Sequence, residues 1–148
     1  MSGSAQSITP PELILHATCV AIEGKGLLII GPSGSGKSSL ALELMAFGAK
    51  LVADDRVELT RNDGKIRASC SASISGKIEA RGVGILNANH LTHVFIDALV
   101  NLEKTETKRL PEEKTYHLLG RDIPCYHNGN TPTFPAALLQ LLKAGRFA

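Results

Sequence analysis

The segment Gly31-Pro32-Ser33-Gly34-Ser35-Gly36-Lys37-Ser38 constrains this chain more than any other. It fits the pattern G-x-x-x-x-G-K-[ST], in which a glycine-rich turn wraps its backbone N–H groups around phosphate. The flanks suit that reading. Leu27-Leu28-Ile29-Ile30 is an unbroken apolar run of the kind that makes a buried strand, and Ser38-Ser39-Leu40-Ala41-Leu42-Glu43-Leu44-Met45 is rich in helix formers. A strand thus delivers the chain into the loop, and the helix that follows turns its positive dipole end toward the anion. Gly31, Gly34 and Gly36 leave the backbone bare where a phosphate must approach; Pro32, Ser33, Ser35 and Ser39 complete the binding segment. Lys37 is expected to stand exposed in the empty loop and to reach the β- and γ-phosphates, and the Ser38 hydroxyl to ligate Mg²⁺. The expected ligand is a nucleoside triphosphate.

Bulk properties narrow the setting. A length of 148 residues is one domain's worth. Residues 1–12 read as a flexible leader ending at Pro10-Pro11, and residues 13–148 as a single kinase-sized domain. A formal charge of +2 gives no basic field that would argue for nucleic acid. No apolar stretch is long enough to span a membrane, and the N-terminus lacks the basic start and apolar centre of a signal peptide. Cys19, Cys70 and Cys125 are odd in number and widely spaced, which fits neither a disulfide framework nor a zinc site. These features predict a cytoplasmic protein.

The element pattern is mixed. Ile14–Ile22 and Leu27–Ile30 read as two strands around the turn Glu23-Gly24-Lys25-Gly26, and Gly48 as the residue that ends the first helix. Leu51-Val52-Ala53 reads as a short buried strand. A hairpin around Asn62-Asp63-Gly64-Lys65 joins Arg56–Thr60 to Ile66–Ser69, His93–Leu102 is a strand, and Pro135–Phe147 is a final helix. The predicted fold class is α/β, a mixed sheet with flanking helices built around one βαβ unit.

The strand at Leu51 ends in Asp54-Asp55, sixteen residues after Ser38. One helix and a tight turn fill that interval, so the strands before the loop and before the acids are expected to lie side by side. Phosphoryl transfer needs carboxylates to hold a cation and to receive a proton. Adjacent side chains on extended backbone point in opposite directions, so the two acids are expected to divide these tasks, one at the Mg²⁺ and the other toward the nucleophile.

The order His16, then the loop, then Leu51-Val52-Ala53-Asp54-Asp55-Arg56-Val57-Glu58 resembles the catalytic domain of the HPr kinase/phosphorylase family. Ile78-Glu79-Ala80-Arg81-Gly82-Val83-Gly84-Ile85-Leu86-Asn87 is similar to that family's E-x-R-G-x-G-I-x-N signature, and Lys108-Arg109-Leu110 more distantly to its D-R-L. Together these span residues 14–110. The resemblance implies the nucleotide-binding core shared by HPr kinase and PEP carboxykinase. It also implies ATP- and Mg²⁺-dependent phosphorylation of a serine on an HPr-like phosphocarrier protein, and a homo-oligomer, a hexamer in the family. By the same resemblance Asp55 is the proton acceptor, His16, Lys37 and Arg109 are catalytic, Arg81 reaches the same site, and Glu79 is a metal ligand beside Ser38 and Asp54.

Two departures accompany it. Longer members carry an N-terminal domain, so a short form of the family is expected here. The family's P-V-x-P-G-R-N loop serves dephosphorylation, and the comparable stretch Ile123-Pro124-Cys125-Tyr126-His127-Asn128-Gly129-Asn130 has no such arginine, so weak phosphorolysis is expected. A small-metabolite or nucleotide kinase is the alternative that the loop alone allows. Such enzymes usually carry an arginine-rich lid, and the sequence holds no compact arginine cluster. Cys125 and His127 suggest a metal only weakly, as two ligands without partners.

Overall fold

The apolar runs beside the glycine-rich loop become strands buried on both faces. In the computed structural model, which describes residues 10–148, β1 (Leu13–Leu15), β2 (Thr18–Ile22) and β3 (Lys25–Ile30) lead into α1 (Lys37–Ala46). After it come β4 (Lys50–Ala53), β5 (Val57–Asn62), β6 (Lys65–Ser69), β7 (Lys77–Ala80), β8 (Gly84–Asn87), β9 (His93–Thr105), β10 (Thr115–Leu118), β11 (Arg121–Asn128) and α2 (Phe134–Ala144). Nine strands form one mixed sheet in the order β1-β5-β6-β9-β3-β2-β4, with β11 added to β9 and β10 to β11; β7 and β8 form a separate hairpin.

Alternation along β2 and β3 splits their side chains between two cores. Val20, Ile22, Leu27 and Ile29 pack with Leu40 and Leu44 of α1 and with Leu138, Leu139 and Leu142 of α2. Cys19, Ala21 and Leu28 pack on the other face with Val57, Leu59, Ile66 and Ile123, where the far strands of the sheet cover them. Each fully buried leucine or isoleucine contributes about 1.5–3 kcal/mol. This double burial is why the strands around the loop read as continuous apolar runs rather than as alternating ones.

Turn chemistry defines the hairpins. Between β2 and β3 the turn is Glu23-Gly24 alone, with φ of 51° and 80°, so Lys25 and Gly26 belong to the strand rather than to the turn. Asp63-Gly64 repeats the pattern, with φ of 51° and 75° between β5 and β6. Positive φ at both central residues gives the two-residue turn whose twist matches the strands. Helix α1 ends as Gly48 suggested: Gly48 N donates to Met45 O and Ala49 N to Leu44 O, a closed C-terminal motif.

Four expectations need correction. The strands before the loop and before the acids are not neighbours, because β2 lies between β3 and β4 and is antiparallel to both; the parallel neighbour of β3 is β9. Ile14–Ile22 is not one strand. It breaks at His16, so β1 pairs with β5 while β2 pairs with β3. In the stretch comparable to the family's dephosphorylation loop, residues 123–128 lie in β11, which runs parallel to β9 and pairs with β10. The final helix begins at Phe134 and stops at Ala144, since Gly145 at φ 81° turns the chain away. Of the expected leader, residues 1–9 lie outside the described residues. Glu12 is anchored to β5, its N–H donating to Leu59 O and its carboxylate accepting from Arg61.

Candidate active site

Parallel pairing of β3 with β9 puts the C-terminal end of β3, and the loop it feeds, at one edge of the sheet. Antiparallel β2 places its N-terminal end at that edge, and β4, antiparallel to β2, delivers its C-terminal end there too. His16 and Thr18, the loop, and Asp54-Asp55 therefore meet although they are far apart in sequence. His16, Thr18, the loop and Asp55 border a cleft of about 330 Å³ over the start of α1, whose opposite wall is the β7–β8 hairpin with Glu79 and Arg81, while Asp54 joins it from behind through Ser38 and Thr18.

Helix α1 begins at Gly36, which is left-handed with φ 98°, and no side chain caps its first N–H groups. A Cβ at Gly34 or Gly36 would meet nothing within 4 Å, so the space above the loop is open. Ser35 Oγ is buried without a hydrogen-bond partner among the described residues. Unused backbone donors, an unpaired hydroxyl and a helix dipole make a cradle for anionic oxygens. Lys37 is buried rather than exposed, which corrects the expectation from sequence: its Nζ donates to Gly31 O at 2.8 Å and to Pro32 O at 3.1 Å. Folding back in this way keeps its charge at the loop.

The two acids have different surroundings. Asp54 is half-buried, and its Oδ1 accepts from Ser38 Oγ at 2.7 Å and from Thr18 Oγ1 at 3.0 Å. Its Oδ2 accepts from Glu79 N at 3.3 Å, which ties the β7–β8 hairpin to the site. Asp55 is exposed, takes the left-handed φ of 70°, and lies 3.0 Å from His16 Nε2. Asp tolerates that conformation better than most residues, and the bend turns Asp55 away from its neighbour. One carboxylate is fixed on the loop hydroxyl; the other is held by an imidazole at the mouth of the cleft.

Among the described residues no three carboxylate, imidazole or thiol groups converge into a ready-made cation cage. That donor set suits Mg²⁺, which takes one or two carboxylates and fills the rest of its shell with water and substrate phosphate. Ser38 and Asp54 can hold it, with Glu79 across the cleft. Arg81 lines the cleft, whereas Arg109 stands exposed on the loop after β9, outside the cleft lining. That loop is organised by Glu106, which accepts from Lys114 Nζ and from the N–H groups of Thr107 and Lys108; Lys114 and these N–H groups pull its carboxyl down to about 2. Burial pushes the thiols of Cys19, Cys70 and Cys125 up, away from the thiolate form that binds metal or attacks.

Sequence reasoning did not single out Thr18. A fully buried threonine within the apolar run Ala17–Ile22, two residues after His16, was the available signal, because a buried hydroxyl needs a partner.

Comparisons with known proteins identify the family and the fold. The family model for the HPr Serine kinase C-terminal domain matches residues 8–127. An HPr kinase/phosphorylase of Xylella fastidiosa (strain M12) is 32% identical over 151 residues, covering 91% of this chain and 47% of that protein. Another HPr kinase/phosphorylase, from Caldanaerobacter subterraneus subsp. tengcongensis, is 38% identical over 118 residues, covering 74% of this chain and 37% of the relative. The chain thus spans about half the length of the curated relatives it matches. The solved structure of the Hpr(Ser) kinase/phosphatase from Coxiella burnetii has the same fold, with a TM-score of 0.75, 23% identity and 89% of each chain covered. The family model matched over residues 8–127, together with relatives at least 30% identical over most of this chain, places the chain in the HPr serine kinase C-terminal domain family.

Proposed function

We propose that this chain is an ATP- and Mg²⁺-dependent protein serine kinase acting on an HPr-like phosphocarrier protein. The observation that carries the reading is the division of the acid pair: Asp54 on the Ser38 hydroxyl at 2.7 Å, Asp55 beside His16 at 3.0 Å. Bound ATP would supply the phosphoryl group, and Mg²⁺ the charge that neutralises it. The loop N–H groups and Lys37 hold the phosphates. Asp54, fixed by Thr18, orients Ser38 and with it would hold the cation. Asp55 faces the open side of the cleft, where a serine hydroxyl of a docked protein can reach it, and its carboxylate takes the hydroxyl proton as the oxygen attacks. His16 orients that carboxylate. Arg81 steadies charge on the transferred group from the opposite wall. In this reading the chain works in the cytoplasm as a homo-oligomer, a hexamer by family resemblance. Among the described residues no helix is long and apolar enough to cross a membrane.

Incubation with labelled ATP, Mg²⁺ and candidate HPr-like proteins tests this directly. Label on an HPr serine is the expected result. Label on a small metabolite or a nucleotide alone would transfer the assignment to the rival kinase class. The reverse reaction forms the second arm, read as pyrophosphate released from phosphorylated HPr at millimolar phosphate. Most of the stretch comparable to the family's dephosphorylation loop lies in strand β11, whose first half pairs with β10 and second half with β9, and Arg121 at its start is engaged with Gly64 O. The forward rate is therefore expected to exceed the reverse rate clearly. Comparable rates would show that other residues, Arg81 and Arg109 first, hold the incoming phosphate.

Thr18→Val keeps the shape of the side chain and removes one donor from Asp54. The Mg²⁺ concentration for half-maximal rate is expected to rise roughly tenfold, the scale of a lost hydrogen bond to a charged group. Thr18→Ser should restore it. A magnesium titration unchanged in Thr18→Val would assign the hydroxyl to packing alone.

A further inference from the structure

Large apolar side chains stand in water on both sides of the active-site cleft. Val83 and Ile85 are 77% and 74% exposed at the end of the β7–β8 hairpin, and Ile14, 44% exposed, lies two residues before His16. We propose that Val83 and Ile85 form an acceptor subsite, which binds apolar protein surface next to the serine to be phosphorylated. This rests on the serine-kinase reading above and goes beyond it, naming what selects a protein over a small metabolite.

Alternation along the hairpin separates its two faces. Ile78 and Leu86 are cross-strand partners and pack inward against the core that holds α1. Glu79 and Ile85 are the next pair, on the outer face, and Glu79 lines the cleft. Ile85 therefore sits beside a cleft residue, on the side that no core covers. Lys77 and Asn87 complete that face and bond to each other, so its remaining members are polar and Ile85 breaks the pattern. A Cβ at Gly82 or Gly84 would meet nothing within 4 Å, so the tip stands clear of the other described residues. Adjacent aliphatic side chains left bare at the rim of a cleft mark a contact for a partner.

The cleft indicates which partner. The Asp55 side chain is 72% exposed at the mouth, so a serine reaches it from outside and the body of its protein rests on the rim. A metabolite small enough to enter the cleft would leave Val83 in water. The backbone adds polar groups to the subsite. Glu79 N points at Asp54, so in this antiparallel pair Ile85 turns its own N–H and C=O toward the outer edge of β8. That edge has no strand neighbour among the described residues. The hairpin is also held at its base, where Ala88 N donates to Gly76 O at 2.9 Å, which fixes the subsite relative to the acid pair.

The test is steady-state phosphorylation of an HPr-like protein by the full chain, at saturating ATP and Mg²⁺, for the parent and for Val83→Ser/Ile85→Thr. Both positions are exposed, so the fold is not at stake. The KM for the protein is expected to rise roughly tenfold or more, with kcat and the KM for ATP within about twofold, since the lost contact is made equally before and during the transfer. Val83→Ile/Ile85→Val keeps the apolar surface and should hold that KM within about threefold of the parent. An unchanged KM for the protein in the polar variant overturns the subsite. So does a loss confined to kcat or to the KM for ATP, which would place the two residues in the chemistry of the cleft. A fall in sedimenting mass with the KM for the protein unchanged would give them to contact with a second copy instead. A parent chain that labels no HPr-like protein overturns the serine-kinase reading and the subsite together.

Discussion

Lys37→Ala is expected to lower nucleotide-dependent turnover by at least about 10²-fold, the loss that follows removal of one preorganised charge from a phosphoryl-transfer site. The structure changes what else to expect. Lys37 is nearly buried, and its ammonium satisfies the carbonyls of Gly31 and Pro32. Alanine leaves both carbonyls to water, at a cost of about 1–3 kcal/mol for two hydrogen bonds. A modest fall in melting temperature should therefore accompany the kinetic loss. Thermal unfolding and steady-state rates measured on the same preparation separate the two. A folded Lys37→Ala protein that turns over at the parent rate would remove the loop from the active site.

Asp55→Asn should reduce turnover by roughly 10²–10⁴-fold, the range for a lost general base, with ATP affinity nearly unchanged. Asp55 is exposed and touches His16, not the loop, so its loss leaves the phosphate cradle as it was. Asp54→Asn should act on the other quantity, weakening nucleotide binding and raising the magnesium requirement. An amide in its place offers one oxygen where Asp54 now accepts from Ser38, Thr18 and Glu79 N on two. Rates at saturating ATP, together with magnesium titrations, distinguish the variants. If Asp55→Asn lost magnesium dependence and Asp54→Asn kept it, the two roles would have to be exchanged.

The local pieces were legible in the sequence because local forces make them. Consecutive apolar residues from Leu27 to Ile30, followed by three glycines and a run of helix formers, specify strand, loop and helix without help from the rest of the chain. Glycine after Glu23 and after Asp63 specifies two hairpins through the backbone conformation those turns require. The E-x-R-G stretch emerged as the hairpin β7–β8. The fourth hairpin, β10–β11, escaped notice: its turn is Leu119-Gly120, without the usual Asn or Asp, and Pro124 removes a donor from the strand that follows.

Tertiary structure decided which strands are neighbours, since pairing depends on contacts between residues far apart in the chain. Insertion of β2 between β3 and β4 brings the break at His16 to Asp55, thirty-nine residues away, and sets Thr18 against Asp54. The sequence put Asp54 and Asp55 next to each other; only the fold gave them different partners. The same long-range pairing seats the loop against β9 and opens the cleft over the start of α1, a consequence of packing that no local pattern encodes.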